Sequence, residues 1–233
     1  MSKTVEILWL YNDLLDLYGE RGNISAITYQ LNYNKIPYNI TEESIFDELS
    51  FDKYDFIYLS AGKDKNILRV LEHLLPYKKQ LIEAIDKDVC VLVTGNANLL
   101  FGKSIMDEDG NEHEALNLFE YTGKITGKVF INDFIATTDF CNEKTYGFIN
   151  RTSIIENNND YPLFKIVYSQ NEIGATEGNL YRNYFGTYAL GPILAKNPHI
   201  LKEILKCILK DYQFVMDDSL MKTAYQKTIE EFK

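Results

Sequence analysis

The sequence predicts an α/β fold in which a mostly parallel central sheet carries helices on both faces and antiparallel strands are added to it. Over about the first hundred residues, short and almost wholly apolar runs alternate with segments of helical periodicity. This alternation is typical of a parallel sheet that is covered on both sides. After about residue 103 the runs become aromatic and β-branched and are joined by polar loops, which favours antiparallel strands.

Four strands are predicted in the first half of the chain, because each segment is a short apolar run rich in β-branched or aromatic residues. They span 5–11, 36–44, 54–62 and 89–95. Pro37 opens the second strand, where a missing N–H is tolerated, and a glycine ends the third and the fourth.

The stretch VLVTGNANLLFG, residues 91–102, predicts a buried strand, a sharp turn at Gly95 and the start of a helix. Enzymes use this local geometry to present a nucleophile to their reactants, yet no Cys or Ser stands at this bend. A residue with a Cβ costs on the order of 1–3 kcal/mol in such a strained turn, whereas glycine adopts it without a steric penalty.

Helices are predicted wherever apolar residues recur at helical spacing, as Ile24, Ile27 and Leu31 do at i, i+3 and i+7. The predicted helical segments are 22–35, 67–85 with an interruption at Pro76, 200–209 and 217–233. The last of them opens with Asp and Ser, which are preferred N-capping residues.

Three antiparallel strands are predicted in the second half, at 128–140, 145–153 and 163–170, with a polar loop at 155–162. No internal repeat and no low-complexity linker divides the chain. We therefore expect residues 1–233 to form a single domain.

Composition restricts the classes of function. The chain has 233 residues and a net charge of −10, which argues against binding to a phosphate backbone. Its three cysteines have no CxxC spacing, which indicates a reducing compartment and excludes a cysteine-rich zinc site. The apolar N-terminal run is short and is interrupted by Glu6. We expect a cytoplasmic protein with no cofactor, no metal and no membrane insertion.

Four motifs together carry a resemblance to a known family. LYGERGNI (17–24) is similar to an LYGDRGN-like signature, and LSAGKDKN (59–66) resembles a glycine-rich GGGxDREQ loop. GFINRTS (147–153) resembles GFENHxGRT, and GTYALGPILAKNP (186–198) resembles GTYLHGPxLxKNP. These motifs are typical of class I glutamine amidotransferases of the cobyric acid synthase type, and within them of the glutamine-hydrolysing subunits of lipid II isoglutaminyl synthases. The resemblance covers roughly residues 5–210 and implies a flavodoxin-like fold.

The resemblance also implies a chemistry whose two central residues are replaced in this chain. In such enzymes a turn Cys attacks the glutamine amide, a strand His activates it, and backbone N–H groups of the elbow and the glycine-rich loop hold the oxyanion. The Cys position falls on Gly95 and the His position on Leu190. The Glu and His of GFENH fall on Ile149 and Arg151. We therefore predict no catalytic residue.

No other cysteine or threonine is a convincing substitute for the nucleophile. Cys90 lies five residues before Gly95 on the same predicted strand, about 16 Å away at ~3.3 Å per residue. Thr94 adjoins the bend, but no base is expected beside its hydroxyl. Cys207 is expected to be a packing residue, and Cys141 to lie on a polar loop or a strand end.

Nor is a histidine expected where the base should be. His73 lies in a predicted helix, His113 in a turn-like DGNEHE segment and His199 near a helix start. We interpret all three as surface or packing residues.

The remaining motif residues are assigned to a pocket and to a partner surface. The predicted pocket residues are Ala61, Gly62, Asn96, Lys124 and Asn150. Lys124 falls where the family has a basic residue near the substrate, although a solvated loop lysine explains it too.

Glu20, Arg21 and Asn23 of LYGERGN are explained equally well by turn architecture and by contact with a partner. The partner assignment makes them the predicted contacts of a second subunit.

Three functional hypotheses follow. The first is a non-catalytic subunit that pairs, as a heterodimer, with a Mur-ligase-like enzyme in peptidoglycan stem-peptide amidation. The second is an active glutamine amidotransferase that supplies ammonia. The third is a sensor that binds a small amide or anion in the former substrate pocket. The absence of both Cys and His at matched positions weighs most heavily against the second.

Overall fold

A computed structural model describes residues 4–157 and 161–232 of the chain. Within them the strands are β1 Val5–Leu10, β2 Tyr38–Glu43, β3 Phe56–Leu59, β4 Cys90–Thr94, β5 Ser104–Met106, β6 Glu112–Glu114, β7 Thr122–Thr137, β8 Thr145–Glu156, β9 Phe164–Ser169, β10 Thr176–Glu177, β11 Asn179–Tyr181 and β12 Tyr184–Thr187. The α-helices are α1 Arg21–Tyr33, α2 Asp64–Leu74, α3 Lys78–Asp86, α4 Ile193–Lys196, α5 Pro198–Leu209 and α6 Ser219–Glu230. Two 3₁₀ helices span Leu75–Tyr77 and Gly95–Phe101.

The first sheet has the strand order β11-β12-β4-β3-β1-β2 in the described part of the chain. Its strands are parallel except for β11, which pairs antiparallel with β12. Every residue of β3 and β4 is buried, in keeping with their continuous apolar runs. The predicted parallel sheet is therefore confirmed.

The register of this sheet brings three chain segments to one edge. Leu59 of β3 lies opposite Val93 of β4, and Thr187 of β12 lies opposite Thr94 of β4. The loops that follow β3, β4 and β12 therefore start side by side. Ligands in open α/β sheets bind at this carboxyl edge.

The helices pack as their apolar spacing predicts. Ile24, Ile27 and Leu31 of α1 are buried, and α5 buries its stripe from Ile200 to Ile208 against β4 and α1. Pro76 divides the second predicted helix into α2, a 3₁₀ turn and α3. None of the helices in the described residues is long and apolar enough to cross a membrane.

The second sheet has the order β10-β9-β7-β5-β6, with β8 also paired to β7. The three predicted antiparallel strands form β7, β8 and β9, and β7 pairs antiparallel with β8 and β9 and parallel with β5. The β7–β8 ladder is irregular between Ile125 and Phe130. The predicted loop 155–162 lies partly outside the described residues, because residues 158–160 are not described.

Three details differ from the sequence-based expectations. The helix predicted to start after the Gly95 turn begins at Gly95 itself and is a 3₁₀ helix. His113 lies in β6 instead of a turn, because Glu112–Glu114 pairs with β5. Asp218 stands at the N-cap of α6 without a capping hydrogen bond; its carboxylate lies 3.1 Å from the Lys222 ammonium instead.

Candidate functional site

Gly95 forms the bend that follows β4 and has the left-handed backbone conformation that the sequence predicts. Its φ is +62°, which favours glycine. A Cβ built on Gly95 would lie 2.6 Å from the Ala61 Cβ and 2.8 Å from the Leu190 Cδ2. Both distances are shorter than Cβ contacts in folded proteins. The space that a side chain at this bend requires is therefore already occupied.

Leu190 is one of the two residues that fill this space. It follows β12, is almost fully buried, and donates its N–H to the Phe148 carbonyl at 2.7 Å. Positions 95 and 190 thus remain adjacent, as a nucleophile and its base must be. At this pair the contact is purely aliphatic, because glycine has no side chain and leucine has no group that accepts a proton.

The Asn96 side chain hydrogen-bonds to the polar groups next to the bend. Its Oδ1 accepts the Gly62 N–H at 3.0 Å, and its Nδ2 donates to the Gly62 carbonyl at 2.7 Å. The same Nδ2 lies 2.8 Å from the Asp64 Oδ1, and Thr152 donates its hydroxyl to the other Asp64 oxygen. The Gly62 N–H, which belongs to the predicted oxyanion-binding loop, is therefore already satisfied inside the protein.

A cavity of about 300 Å³ lies in front of this loop and the bend. We call it the elbow cavity. It is lined by Leu17, Tyr18, Ala61, Gly62, Lys63, Asp64, Asn96, Val129, Asn150, Arg151 and Thr152. Four of the five predicted pocket residues are thus brought together. No Cys, Ser or His is among these lining residues.

Lys124 is the predicted pocket residue that the structure places elsewhere. It lies in β7, opposite Met106 of β5 and Ile154 of β8, and it does not line the elbow cavity. The basic residues of that cavity are Lys63 and Arg151. Sequence reasoning placed Arg151 only as a replaced family residue; because successive side chains of a strand point to opposite faces, its position beside Asn150 gave no signal that both residues line one cavity.

Glu20 has an unexpected position, because this acidic residue of LYGERGN is fully buried. Its Oε2 accepts hydrogen bonds from the Thr94 hydroxyl at 2.5 Å, the Tyr58 hydroxyl at 2.9 Å and the Asn23 amide at 3.1 Å. Its Oε1 accepts the Gly191 N–H at 2.7 Å. Burial raises the pKa of Glu20, and the hydrogen bonds from Thr94, Gly191 and Tyr58 partly oppose that shift.

Asn23 extends this network to the last motif. It is fully buried, donates to the Tyr58 hydroxyl at 2.8 Å, and accepts the Leu194 N–H at 2.9 Å. Glu20 and Asn23 therefore connect α1 to β3, to the end of β4 and to the segment after β12. Their burial leaves no surface for contact with a partner, so the turn-architecture explanation holds for these two residues.

Arg21 differs from its two neighbours because it is exposed. Its guanidinium lies 5.1 Å from the centre of the Trp9 ring, and its backbone N–H bonds to the Asp16 carboxylate at 3.1 Å. It is the member of the predicted partner-binding set that a second protein can reach.

Thr94 has a proton acceptor that the sequence did not predict, since its hydroxyl bonds to the Glu20 carboxylate. Both residues are fully buried, and neither lines the elbow cavity. The hydrogen bond between Thr94 and Glu20 therefore has a structural role, since it connects the end of β4 to the start of α1.

The cysteines and histidines lie away from the bend. Cys90 is at the amino end of β4, opposite Phe56, where burial raises the pKa of its thiol; Cys207 of α5 hydrogen-bonds to it. Cys141 lies after β7, with its Sγ 3.0 Å from the Thr138 hydroxyl.

Each histidine has a hydrogen-bonding neighbour that explains its presence without a catalytic role. His73 Nδ1 lies 2.9 Å from the Tyr11 hydroxyl, and His113 Nε2 lies 2.9 Å from the Asp107 carboxylate. His199 is buried beside Thr145, and burial lowers its pKa to about 4. The described residues contain no group of three or more His, Cys, Asp or Glu side chains placed to hold a metal ion.

Comparison with known proteins identifies the family. The model of the CobB/CobQ-like glutamine amidotransferase domain matches residues 6–198. The chain belongs to this family. The resemblance inferred from the four motifs is therefore confirmed.

Two curated proteins are similar over most of the chain. Both are named lipid II isoglutaminyl synthase (glutamine-hydrolyzing) subunit GatD. The protein from Streptococcus pneumoniae is 29% identical over 88% of this chain and 81% of its own length. The protein from Staphylococcus aureus is 28% identical over 84% of this chain and 80% of its own length.

Solved structures confirm the predicted fold class. A glutamine amidotransferase from Thermotoga maritima aligns with a TM-score of 0.51 at 11% identity, over 98% of this chain and 92% of that one. The glutaminase domain of Trypanosoma brucei CTPS aligns with a TM-score of 0.53 at 8% identity, over 91% and 97%. The chain therefore has the class I glutamine amidotransferase fold.

The filled bend predicts that Gly95→Ala destabilises the protein. The new Cβ meets Ala61 and Leu190, so an overpacking cost of about 1–3 kcal/mol adds to backbone strain on the order of 1–3 kcal/mol. The matched control is Gly110→Ala, at a φ of +86° with no atom within 4 Å of the new Cβ. Urea unfolding measures both variants, and equal losses of stability would show that the bend is not filled.

The buried network predicts losses of stability of different size when two nearby residues of the LYGERGN motif are replaced. Asn23→Ala leaves the Leu194 N–H without its acceptor and opens a void, so the free energy of unfolding falls by about 1–3 kcal/mol. Arg21→Ala removes an exposed contact with Trp9 and costs about 0.5–1 kcal/mol. Thermal melts and urea titrations of the two variants check this order. A larger loss from Arg21→Ala would contradict it.

Proposed function

We propose that the chain is a glutamine amidotransferase-like subunit without glutaminase activity, which pairs with a Mur-ligase-like enzyme in the amidation of peptidoglycan stem peptides. The observation that carries the proposal is the aliphatic contact of Leu190 and Ala61 around Gly95, at the two positions where the family chemistry needs a thiol and an imidazole. The site residues of the proposal are therefore Gly95 and Leu190 as replaced catalytic positions.

Chemical requirements support the loss of glutamine hydrolysis. Attack on an amide needs a thiolate or another activated nucleophile and a base within hydrogen-bond reach. The residues that line the elbow cavity include neither a Cys nor a His. In addition, the Asn96 side chain satisfies the Gly62 N–H, which is therefore not free to stabilise an oxyanion.

The retained scaffold supports a role in a complex. Glu20 and Asn23 still hold the ends of β4 and β12 together, although no catalytic pair needs that alignment. The similar proteins from S. pneumoniae and S. aureus are named as subunits of lipid II isoglutaminyl synthases. A subunit whose surface is required by its partner would keep its fold even after its catalytic residues are replaced. The retained fold of this chain agrees with that role.

The rim of the elbow cavity supports a docking role for that side of the molecule. Tyr18 is 46% exposed and Val129 is 67% exposed, and both line the cavity. Ile131 on the same strand as Val129 is 51% exposed. Exposed large apolar side chains, beside polar residues such as Lys63 of the same cavity, are typical of interaction surfaces.

The first test is glutamine hydrolysis by the purified chain. We expect glutamate release at the rate of the buffer alone, for the chain by itself and for Gly95→Cys, because neither has a base at position 190. We also expect Gly95→Cys to lower the melting temperature, as its Cβ meets Ala61 and Leu190. Hydrolysis appears only when Leu190→His is added. Robust hydrolysis by the unmodified chain or by the single variant would refute the proposal.

The second test is the partner. A tagged copy expressed in the native cell should recover a Mur-ligase-like protein in near-stoichiometric amount, identified by mass spectrometry. Arg21→Ala should reduce that recovery while the melting temperature falls by only about 1–4 °C, because Arg21 is exposed and loses only its contact with Trp9. Arg69→Ala is the matched control, since Arg69 is an exposed arginine of α2. Recovery of no ligase would overturn the partner role and favour a sensor that uses the elbow cavity.

A further inference from the structure

A cavity of about 790 Å³ lies against one face of the second sheet and shares no lining residue with the elbow cavity. We call it the sheet cavity. Its walls come from β7, β8, β9 and the residue after β9, from Lys196 of α4, and from Thr228, Glu231 and Phe232 at the end of the described chain. Its volume lies within the range of about 300–1,000 Å³ that is usual for small-molecule sites.

Strand register places two tyrosines and two polar residues on the sheet face that lines this cavity. Tyr146 of β8 and Tyr168 of β9 both lie opposite Ile135 of β7, one on each side of it. Directly opposed residues share a face of the sheet, as do residues two apart in one strand, so Asp133 joins the same face. Gln170 follows two residues after Tyr168, and its N–H bonds to the Asp133 carbonyl at 3.1 Å. The face therefore carries two phenol rings beside a carboxylate and an amide.

Phe232 adds a third ring and completes an aromatic wall. The centre of its ring lies 5.4 Å from that of Tyr146 and 5.8 Å from that of Tyr168. Tyr168 nevertheless stays 46% exposed, so it offers ring surface to a ligand in the cavity. The face of an aromatic ring is apolar and carries partial negative charge, and it therefore attracts the C–H groups of a ligand.

The polar groups of the cavity carry charges of both signs. Asp133 Oδ1 accepts the Tyr146 hydroxyl at 2.5 Å, and because a carboxylate has about four acceptor positions, Asp133 can accept further hydrogen bonds. The Lys196 ammonium, which has three N–H donors, lies 5.0 Å from the centre of the Tyr146 ring. Gln170 and Glu231 are exposed. The cavity thus presents acceptors, donors and an amide that is both.

We propose that the sheet cavity binds a neutral sugar in its pyranose form. A hydroxyl both donates and accepts hydrogen bonds. The sugar hydroxyls donate to the carboxylates of Asp133 and Glu231, and they accept from Lys196 and Gln170. The C–H face of the pyranose ring packs against the ring of Tyr168. This binding site does not depend on the proposed function of the chain.

The mixture of charges explains the choice of a neutral ligand. An anion drawn to Lys196 also meets the carboxylates of Asp133 and Glu231, and an organic cation meets the Lys196 ammonium beside the Tyr146 ring; like charges repel in both cases. A small zwitterion has one group of each sign and leaves the remaining polar groups and the ring surface unused. A ring with several hydroxyls satisfies groups of either sign and packs on the aromatic wall as well. A few placed polar groups in a partly apolar cavity are the usual basis of specificity.

The experiment is a saturation-transfer difference NMR titration of the full chain with D-glucose, D-galactose, D-mannose and N-acetyl-D-glucosamine. Glycerol, which has hydroxyls but no ring face, and glycine, a small zwitterion, serve as comparison ligands. We expect a saturable signal with at least one of the sugars, and at least tenfold weaker binding of glycerol and glycine. Absence of a saturable signal with all four sugars would overturn the proposal, as would binding of glycerol or glycine equal to that of the best sugar.

Variants locate the sugar that binds. Tyr168→Ala should weaken binding about tenfold or more, because the ring surface under the sugar is lost. Tyr33→Ala is the matched control, since Tyr33 is a 53% exposed tyrosine of α1 that does not line the sheet cavity, and it should leave the affinity unchanged. Equal affinity for the wild type and Tyr168→Ala would refute the assignment.

Two further variants keep the test valid if Tyr168→Ala does not fold. Gln170→Trp places a large side chain at an exposed position that lines the sheet cavity, and it should abolish binding. Gln226→Trp makes the same change at an exposed position of α6 that does not line the cavity, and it should leave binding unchanged. Undiminished binding by Gln170→Trp would place the sugar elsewhere on the molecule and overturn the proposal.

Discussion

The buried carboxylate of Glu20 is the interaction on which the geometry of the candidate site depends. Four groups donate to it, and they belong to β3, to the end of β4, to α1 and to the segment after β12. Placing a carboxylate in the interior is unfavourable unless donors replace its water. Because those donors come from four parts of the chain, the carboxylate fixes their relative positions, including the residues next to Gly95 and Leu190.

On the proposed function, the replacement of the chemistry is local by comparison. Ala61 and Leu190 fill the space beside Gly95 with aliphatic atoms, and the Asn96 side chain hydrogen-bonds to both backbone groups of Gly62. The network behind the bend is left whole. On the proposed function, the chain keeps one of two roles that active enzymes combine in one place: the positioning of strand ends, without the reaction carried out between them.

The fold was predictable from the sequence because apolar periodicity records burial directly, as in β3, β4 and α1. The bend at Gly95 and its adjacency to Leu190 were predictable from motifs. The burial of Glu20 and Asn23 was not, since polar residues in a loop motif are normally exposed. That residues 1–233 form a single domain stays a prediction.

The glycine at the bend has a consequence for the evolutionary history of the site. A mutation that restores a side chain at position 95 is penalised by Ala61 and Leu190 together, so it gains nothing until both neighbours have changed. A substitution by a smaller residue at Ala61 or at Leu190 alone leaves a void beside Gly95 and supplies no nucleophile. The three positions are therefore epistatic, and no sequence of single steps back to a catalytic elbow is favourable throughout. On the proposed function, the closure of Leu190 and Ala61 over the bend makes the replacement effectively irreversible, which leaves selection to act on the surface of the molecule.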